Sequence, residues 1–257
     1  MGVQARTRAR EIRAAREAEQ RRAAKRKRIM STVGGVVIVG LVLAIVVAVV
    51  KAASGGDEKS TATTPTAAVV APAGATTGGA LTVGQAGAPV RVEIYLDYMC
   101  PYCGRFERAN AGELNRLVAD GTVRLELYPL AFLDRMSQGS EYSTRAANAV
   151  ATVADRAPDK VLAVNQALYE HQPEEGTTGL TDDQIATLAR DAGVPGEVVA
   201  AFHENRFRSW IAVSTEKVLS GDVTGTPTVK INGTVFKGDL YTAGPLTQAI
   251  VAAKATG

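Results

Sequence analysis

The segment Glu93-Ile94-Tyr95-Leu96-Asp97-Tyr98-Met99-Cys100-Pro101-Tyr102-Cys103 contains both cysteines of this 257-residue chain. The run from Glu93 to Tyr98 is rich in β-forming residues and predicts a strand that ends at Tyr98. From Gly104 to Ala109 the pattern has helical spacing. A strand that leads into a helix at a C-x-x-C motif is typical of a redox-active cysteine pair. One helical turn places both cysteines on one face, close enough to form a disulfide after small adjustments.

The start of this predicted helix gives the two cysteines different roles. Pro101 suits the first helical position, where its missing N–H costs nothing. Cys100 then becomes the N-terminal cap, beside unpaired N–H groups and the positive end of the helix dipole, which stabilise a thiolate. Cys103 lies one turn further in, where burial keeps its thiol protonated. We therefore expect Cys100 to attack or be attacked, and Cys103 to resolve the mixed disulfide.

Other uses of the cysteine pair have less support in the sequence. A structural zinc ion takes four ligands, whereas the chain offers no third cysteine and only two histidines, His171 and His203. Copper or zinc delivery would need more ligands near the pair, and a lone Met99 is more typical of packing. A purely structural four-residue disulfide loop would contribute modest entropy. The sequence predicts no metal site and no cofactor other than the redox-active disulfide.

A second motif, Thr224-Gly225-Thr226-Pro227-Thr228, follows the cysteines by more than a hundred residues. Residues 228–231 predict a strand, Asn232-Gly233 a two-residue hairpin turn, and residues 234–236 the returning strand. Proline is tolerated at a strand start because it has no N–H to donate to a ladder.

Together the two motifs resemble those of DsbA-like oxidoreductases of the thioredoxin superfamily, in the branch with D-[FY]-x-C-P-x-C, G-T-P-T and N-G. The resemblance covers roughly residues 81–257 and implies a thioredoxin-like α/β fold. It implies that Pro227 is cis and packs against the cysteine pair. Thr226 would face the disulfide and pair its backbone with an extended substrate segment. Pro101, Tyr102 and Thr226 would tune the redox potential.

The spacing of the two motifs predicts a helical insertion. Thr226 follows Cys103 by 123 positions, which is far more than a minimal thioredoxin needs. Residues 122–130 alternate like a second core strand, and the pattern from about residue 139 to 221 is helical, with a capping box at residues 181–184. By resemblance to DsbA-like proteins, this segment is a helical domain inserted between the second and third core strands.

One position departs from the family pattern. Many relatives carry a buried acid six residues before the first cysteine, where this chain has Ile94. Glu93 and Asp97 flank it, and strand alternation would point both to the opposite side of the sheet. Asp97 or a water molecule is the remaining proton acceptor for Cys103. The structural alternative is that Asp97 is only a polar strand end.

The N-terminal part of the chain predicts a membrane anchor. Residues 29–50 are 22 uncharged, mostly apolar residues, which span about 33 Å as a helix and suffice for a bilayer. Residues 1–28 hold 11 Lys or Arg against 3 Asp or Glu, which places this tail in the cytoplasm and the C-terminal domain outside. Residues 51–80 have the composition of a flexible linker. A cleaved signal peptide fits less well, because the apolar core is long and Lys51 disrupts the cleavage pattern.

The sequence therefore predicts a single-pass, membrane-anchored, extracytoplasmic thiol–disulfide oxidoreductase. Orientation and attraction to anionic lipid explain the basic tail without nucleic acid. The primary hypothesis is oxidation of exported proteins, and the resemblance implies re-oxidation by a quinone-linked membrane partner of the DsbB or VKOR type. A disulfide reductase or isomerase of exported proteins is the alternative within the same fold, because C-P-Y-C with threonine before proline also resembles DsbG-like proteins. A non-catalytic binding or chaperone module is the alternative from another class.

Overall fold

The computed structural model of the protein describes residues 69–255, which lie within one compact unit, Ala67–Gly257. The predicted cytoplasmic tail, the predicted membrane helix at residues 29–50 and most of the predicted linker lie outside the described residues. Within residues 69–255, no helix is long and apolar enough to cross a membrane.

A five-stranded mixed sheet forms the centre of the domain. Its strands are β1 (Leu81–Val83), β2 (Val90–Leu96), β3 (Val123–Pro129), β4 (Thr228–Ile231) and β5 (Thr234–Val235). The spatial order is β1-β3-β2-β4-β5, in which β2 and β3 are parallel and the other pairs antiparallel. The strands predicted around the two motifs are confirmed, although β2 ends at Leu96, two residues before the predicted end at Tyr98.

The two faces of the sheet carry different side chains because residues alternate along each strand. Ile94 lies beside Leu127 in the register, and both belong to the main apolar core. Helices α1 (Pro101–Ala119) and α7 (Pro245–Ala255) contribute buried residues such as Leu114 and Ile250 to the same core. On the opposite face the rings of Tyr95 and Tyr128 stack with centroids 4.2 Å apart, within a smaller core.

Five helices lie between β3 and β4, the place predicted for the insertion. They are α2 (Tyr142–Arg156), α3 (Val161–Glu170), α4 (Asp182–Asp191), α5 (Gly196–Ala200) and α6 (Arg208–Leu219). Most of α2 is buried, and its small residues let the neighbouring helices pack closely around it. The predicted capping box is present at the start of α4, where Thr181 and Gln184 exchange hydrogen bonds. The insertion joins the main core and carries residues to the cysteine pair.

Candidate active site

The turn between β2 and α1 positions the two cysteines. The backbone N–H of Cys100 donates to the carbonyl of Asp97 over 3.0 Å, which closes the turn. Cys100 is the N-terminal cap of α1, with extended backbone angles (φ −73°, ψ 115°), and Pro101 occupies the first helical turn. The capping geometry predicted from Pro101 is therefore confirmed.

The two thiols have opposite proton affinities. The pKa of Cys100 is lowered to about 6 although the residue is buried. The main cause is a hydrogen bond with the Cys103 side chain, and further hydrogen bonds come from Thr226 and the backbone of residues 102–103. Burial raises the pKa of Cys103 well above its usual range. Only 5% of Cys100 and 1% of Cys103 are exposed. At neutral pH the reduced site therefore holds a thiolate at Cys100 and a thiol at Cys103.

The second sequence motif lies directly against the first. The Thr226–Pro227 peptide bond is cis, the isomer that the family resemblance implies. The Cys100 Sγ lies 3.4 Å from the carbonyl oxygen of Thr226. The fold thus brings together two segments that are more than a hundred residues apart in sequence.

Asp97 occupies a different position from the predicted one. Because β2 ends at Leu96, strand alternation does not govern Asp97, and its side chain is fully buried in the turn. One carboxylate oxygen accepts from the Met99 N–H (2.8 Å) and the Ser143 hydroxyl (2.6 Å), and the other accepts from the Leu133 N–H (2.9 Å). Burial nevertheless raises the pKa of Asp97 to about 6. Asp97 therefore fastens the active-site turn to α2 and to the loop after β3.

The sequence predicts Tyr102 as a site residue but gives no sign of the aromatic cluster that it forms beside the cysteines. Tyr102 is 54% exposed and Tyr241 is 38% exposed, and their ring centroids lie 6.0 Å apart. The Arg105 guanidinium carbon lies 4.7 Å from the Tyr241 centroid and 5.7 Å from that of Tyr102. Tyr241 comes from the connection between β5 and α7, and no local pattern in the sequence marks it. We call Tyr102, Arg105 and Tyr241 the aromatic rim.

A buried carboxyl lies on α1 one turn beyond Cys103. Glu107 accepts a hydrogen bond from the Asn165 amide (2.8 Å), and the Asn165 carbonyl accepts one from the Tyr98 hydroxyl (3.0 Å). Burial raises the pKa of Glu107 to about 7. Its position four residues after Cys103 on a predicted helix is a signal that could have indicated it, because such residues share a face. Asn165, in the insertion, gives no such signal.

A second residue of the insertion contacts the active-site turn directly. The Gln172 amide nitrogen donates to the carbonyls of Tyr98 (3.0 Å) and Cys100 (2.9 Å). Gln172 follows the end of α3, and nothing in its sequence surroundings predicts this contact.

A bound metal ion would need several ligand side chains close together in the described residues. Across residues 69–255, no group of three or more His, Cys, Asp or Glu side chains is placed to hold one. His171, which the sequence leaves without a role, lies with its ring Nδ1 3.0 Å from the carbonyl of Ala167 in its own helix. The chemistry that the arrangement supports is thiol–disulfide exchange at the cysteine pair.

A family model described as Thioredoxin matches residues 76–250. The chain belongs to the thioredoxin family. Among solved structures, this thioredoxin-family chain resembles the thiol-disulfide oxidoreductase MdbA of Actinomyces oris, with a TM-score of 0.61 and 26% identity over 70% of this chain and 91% of that one. DsbG of Mycobacterium tuberculosis gives a TM-score of 0.56 and 28% identity over 71% and 95% of the two chains. Reduced DsbA of Mycobacterium tuberculosis gives a TM-score of 0.55 and 27% identity over 69% of this chain and 98% of that one.

These similarities identify the thioredoxin-family chain as a thiol–disulfide oxidoreductase of the DsbA/DsbG type. These similarities favour an enzyme over the alternative of a non-catalytic binding or chaperone module. The chain is also 31% identical over 155 residues, 57% of its length, to the serine/threonine-protein kinase PknE of Mycobacterium tuberculosis. It spans only 27% of that relative, so the kinase activity of PknE does not transfer to it.

Proposed function

We propose that this oxidoreductase oxidises cysteines of exported proteins through a Cys100–Cys103 disulfide. The observation that carries this proposal is the unequal affinity of the two thiols for protons. A pKa of about 6 at Cys100 means that the reduced form holds a stabilised thiolate at neutral pH. A stabilised reduced form makes the corresponding disulfide a stronger oxidant.

The reaction is two successive thiol–disulfide exchanges. A substrate thiolate attacks the Cys100 sulfur, which forms a mixed disulfide and releases Cys103 as a thiolate. Cys103 takes up a proton, because its buried thiolate is strongly disfavoured. A second substrate thiolate then attacks the substrate sulfur of the mixed disulfide and releases Cys100 as the leaving group. Two electrons pass from the substrate to the enzyme, and a low-pKa thiol leaves faster than an ordinary one.

The other site residues have supporting roles in this proposal. Pro101 sets the cap and Tyr102 contributes to the aromatic rim. Thr226 and Pro227 would present backbone to an extended substrate segment, since the Thr226 carbonyl lies 3.4 Å from the Cys100 sulfur. Asp97 or a water beside it would accept the Cys103 proton when the disulfide reforms, because Asp97 is buried near the pair with a pKa of about 6.

We also propose that residues 29–50 anchor the enzyme in the cell membrane with its catalytic domain outside. The support is the uncharged length of this segment and the excess of positive charge before it. The partners would be exported proteins, anionic lipid at the basic tail, and a quinone-linked oxidase of the DsbB or VKOR type. Labelling of Cys100 in intact cells by a membrane-impermeant maleimide, after reduction of the Cys100–Cys103 disulfide with a membrane-impermeant phosphine, tests the orientation. Protection until the membrane is permeabilised would contradict it.

The second candidate is reduction or isomerisation of disulfides in exported proteins. The observation that favours it is that the structure resembles DsbG as closely as DsbA, with TM-scores of 0.56 and 0.55. The redox potential of the full-length protein in detergent, equilibrated with glutathione, separates the two. A potential between about −180 and −120 mV is expected for the oxidase, whereas one at or below about −250 mV would indicate the reductase.

A further inference from the structure

Several residues of the helical insertion contact the catalytic turn: Ser143 and Tyr169 bond to Asp97, and Gln172 bonds to the backbone of Cys100 itself. A primary amide carries two N–H donors, and both have a backbone acceptor here. One donates to the carbonyl of Tyr98 (3.0 Å) and the other to the carbonyl of Cys100 (2.9 Å). Both acceptors lie in the turn that ends at the reactive cysteine. The contact therefore links the insertion to the backbone that carries the Cys100 sulfur.

The helix beside this contact is shaped to admit the Gln172 side chain. Gly104 lies within α1, and a Cβ added there would lie 2.1 Å from Gln172 Oε1 and 3.1 Å from its Cδ. Glycine inside a helix costs about 1 kcal/mol relative to alanine. Its presence in the first turn of α1 is thus unfavourable for the helix itself, and the close approach of Gln172 gives it a physical reason.

The Cys100 carbonyl affects how well the site tolerates a negative charge on the Cys100 sulfur. The Cys100 carbonyl already accepts from the N–H groups of Cys103 (3.0 Å) and Gly104 (3.3 Å), and Gln172 adds a third donor. The negative end of this carbonyl dipole belongs to the same residue as the thiolate. A donor that offsets this dipole favours the thiolate. The second bond, to Tyr98, holds the turn so that the sulfur stays at the N-terminus of α1.

We propose that Gln172 is a positioning residue for disulfide exchange, which fastens the helical insertion to the active-site turn and thereby strengthens the enzyme as an oxidant. This inference rests on the redox function proposed above. The Gln172 amide donates to the backbone carbonyls of Tyr98 and Cys100, so its proposed effect on the sulfur is exerted through that backbone.

Two substitutions remove the contact from opposite sides. Gln172→Met keeps a side chain of similar length but removes both donors. Gly104→Ala keeps glutamine at position 172 but displaces its amide, because the added Cβ would lie 2.1 Å from Gln172 Oε1. Alanine also favours the helix more than glycine does. The matched control is Gln166→Met, because the Gln166 amide donates only to the exposed side chain of Glu170 in its own helix, over 2.8 Å.

The measurements are made on reduced, full-length protein in detergent. The pH dependence of Cys100 alkylation by iodoacetamide gives the thiol midpoint, and equilibration with glutathione at pH 7 gives the potential. Both variants are expected to raise the midpoint by about 0.5–1 pH unit. The equilibrium constant for oxidising glutathione should fall about three- to sixfold, equivalent to about 14–23 mV at 29.6 mV per tenfold. The control should match the wild type.

A purely structural role for Gln172 predicts a different result. The melting temperature would then fall in Gln172→Met while the alkylation midpoint and the potential stayed at their wild-type values, and this would overturn the proposal. A shift in only one of the two variants would overturn it as well. If the wild type shows no reversible two-electron couple, the proposed function fails together with this inference. A normal wild-type couple with unshifted variants refutes only the role of Gln172.

Discussion

The pH dependence of the redox potential tests the unequal thiols most directly. Reduction of the Cys100–Cys103 disulfide consumes two electrons and as many protons as the two thiols bind. Below the Cys100 pKa of about 6 both thiols are protonated, so the potential should fall by about 59 mV per pH unit, twice 29.6 mV. Above it only Cys103 holds a proton, and the slope should fall to about 30 mV per pH unit.

The size of the effect at neutral pH follows from the same pKa. With a pKa of about 6, the thiolate population at pH 7 stabilises the reduced form about elevenfold over a thiol that stays protonated. A cysteine near its ordinary pKa of about 8.5 gains almost nothing at this pH. The difference is about tenfold, or about 30 mV of oxidising strength. Because burial keeps Cys103 protonated, no second break is expected up to about pH 8.

The assay is equilibration of the full-length protein in dithiothreitol or glutathione buffers at half-unit steps from pH 4.5 to 8. The reduced fraction is read from the gel shift after alkylation with a polymer-linked maleimide. A slope of about 59 mV per pH unit through to pH 8 would show that Cys100 stays protonated, and the argument from its cap position and hydrogen bonds would fail. The slope of the thiol buffer itself, measured in parallel without protein, is the reference.

Three further predictions address the attacking order, the buried acid and the aromatic rim. Cys103→Ser, mixed with a disulfide-containing peptide, should accumulate a mixed disulfide on non-reducing gels. The Cys100 thiolate attacks the peptide disulfide and releases one peptide thiol, and no Cys103 remains to displace the other. Accumulation in Cys100→Ser instead would reverse the assigned roles. Glu107→Gln should stabilise the protein relative to the wild type, by an amount that grows between about pH 4 and 7 and is on the order of 3 kcal/mol at pH 8. The reason is that the raised Glu107 pKa of about 7 makes the buried, ionised carboxylate cost stability as pH rises. Urea unfolding at pH 4 and pH 8 measures this, and an equal effect at both values would contradict it. Tyr241→Ala should raise KM for a cysteine-containing peptide about fivefold and leave kcat unchanged. The change is equivalent to the loss of about 1 kcal/mol of aromatic contact with the peptide. A change in kcat alone would exclude a role in substrate contact.

The parts of the site that were predictable from sequence are those built by local chemistry. Proline after Cys100 sets a helix start, and a helix start sets the polarity of the two thiols. The strands beside each motif follow from residue type and from the Asn232-Gly233 turn. The strand pattern places the end of β2 two residues too late, because Tyr98 has strand-forming character but its hydroxyl donates to Asn165 of the insertion. A tertiary contact overrode the local preference there.

The remaining site residues were not predictable because their positions depend on contacts across long sequence separations. Gln172 reaches the Cys100 carbonyl across 72 positions, and Tyr241 meets Arg105 only through the packing of α7 and its preceding loop on α1. Neither lies in a periodic pattern or a motif. Asp97 was identified, but its environment was not, since Leu133 and Ser143 come from segments whose paths a single sequence does not fix.

The redox potential of the oxidoreductase depends both on the motif and on residues that are distant from it in sequence. The helix start supplies unpaired N–H groups to any cysteine that caps it, so the C-P-Y-C motif by itself favours a thiolate. The Thr226 and Gln172 contacts act on the same residue from elsewhere in the fold. A contact of this kind, gained or lost, shifts the exchange equilibrium without any change in the motif. Two proteins with the same four residues can therefore differ in oxidising strength, because residues around the motif contribute to the redox potential together with those inside it.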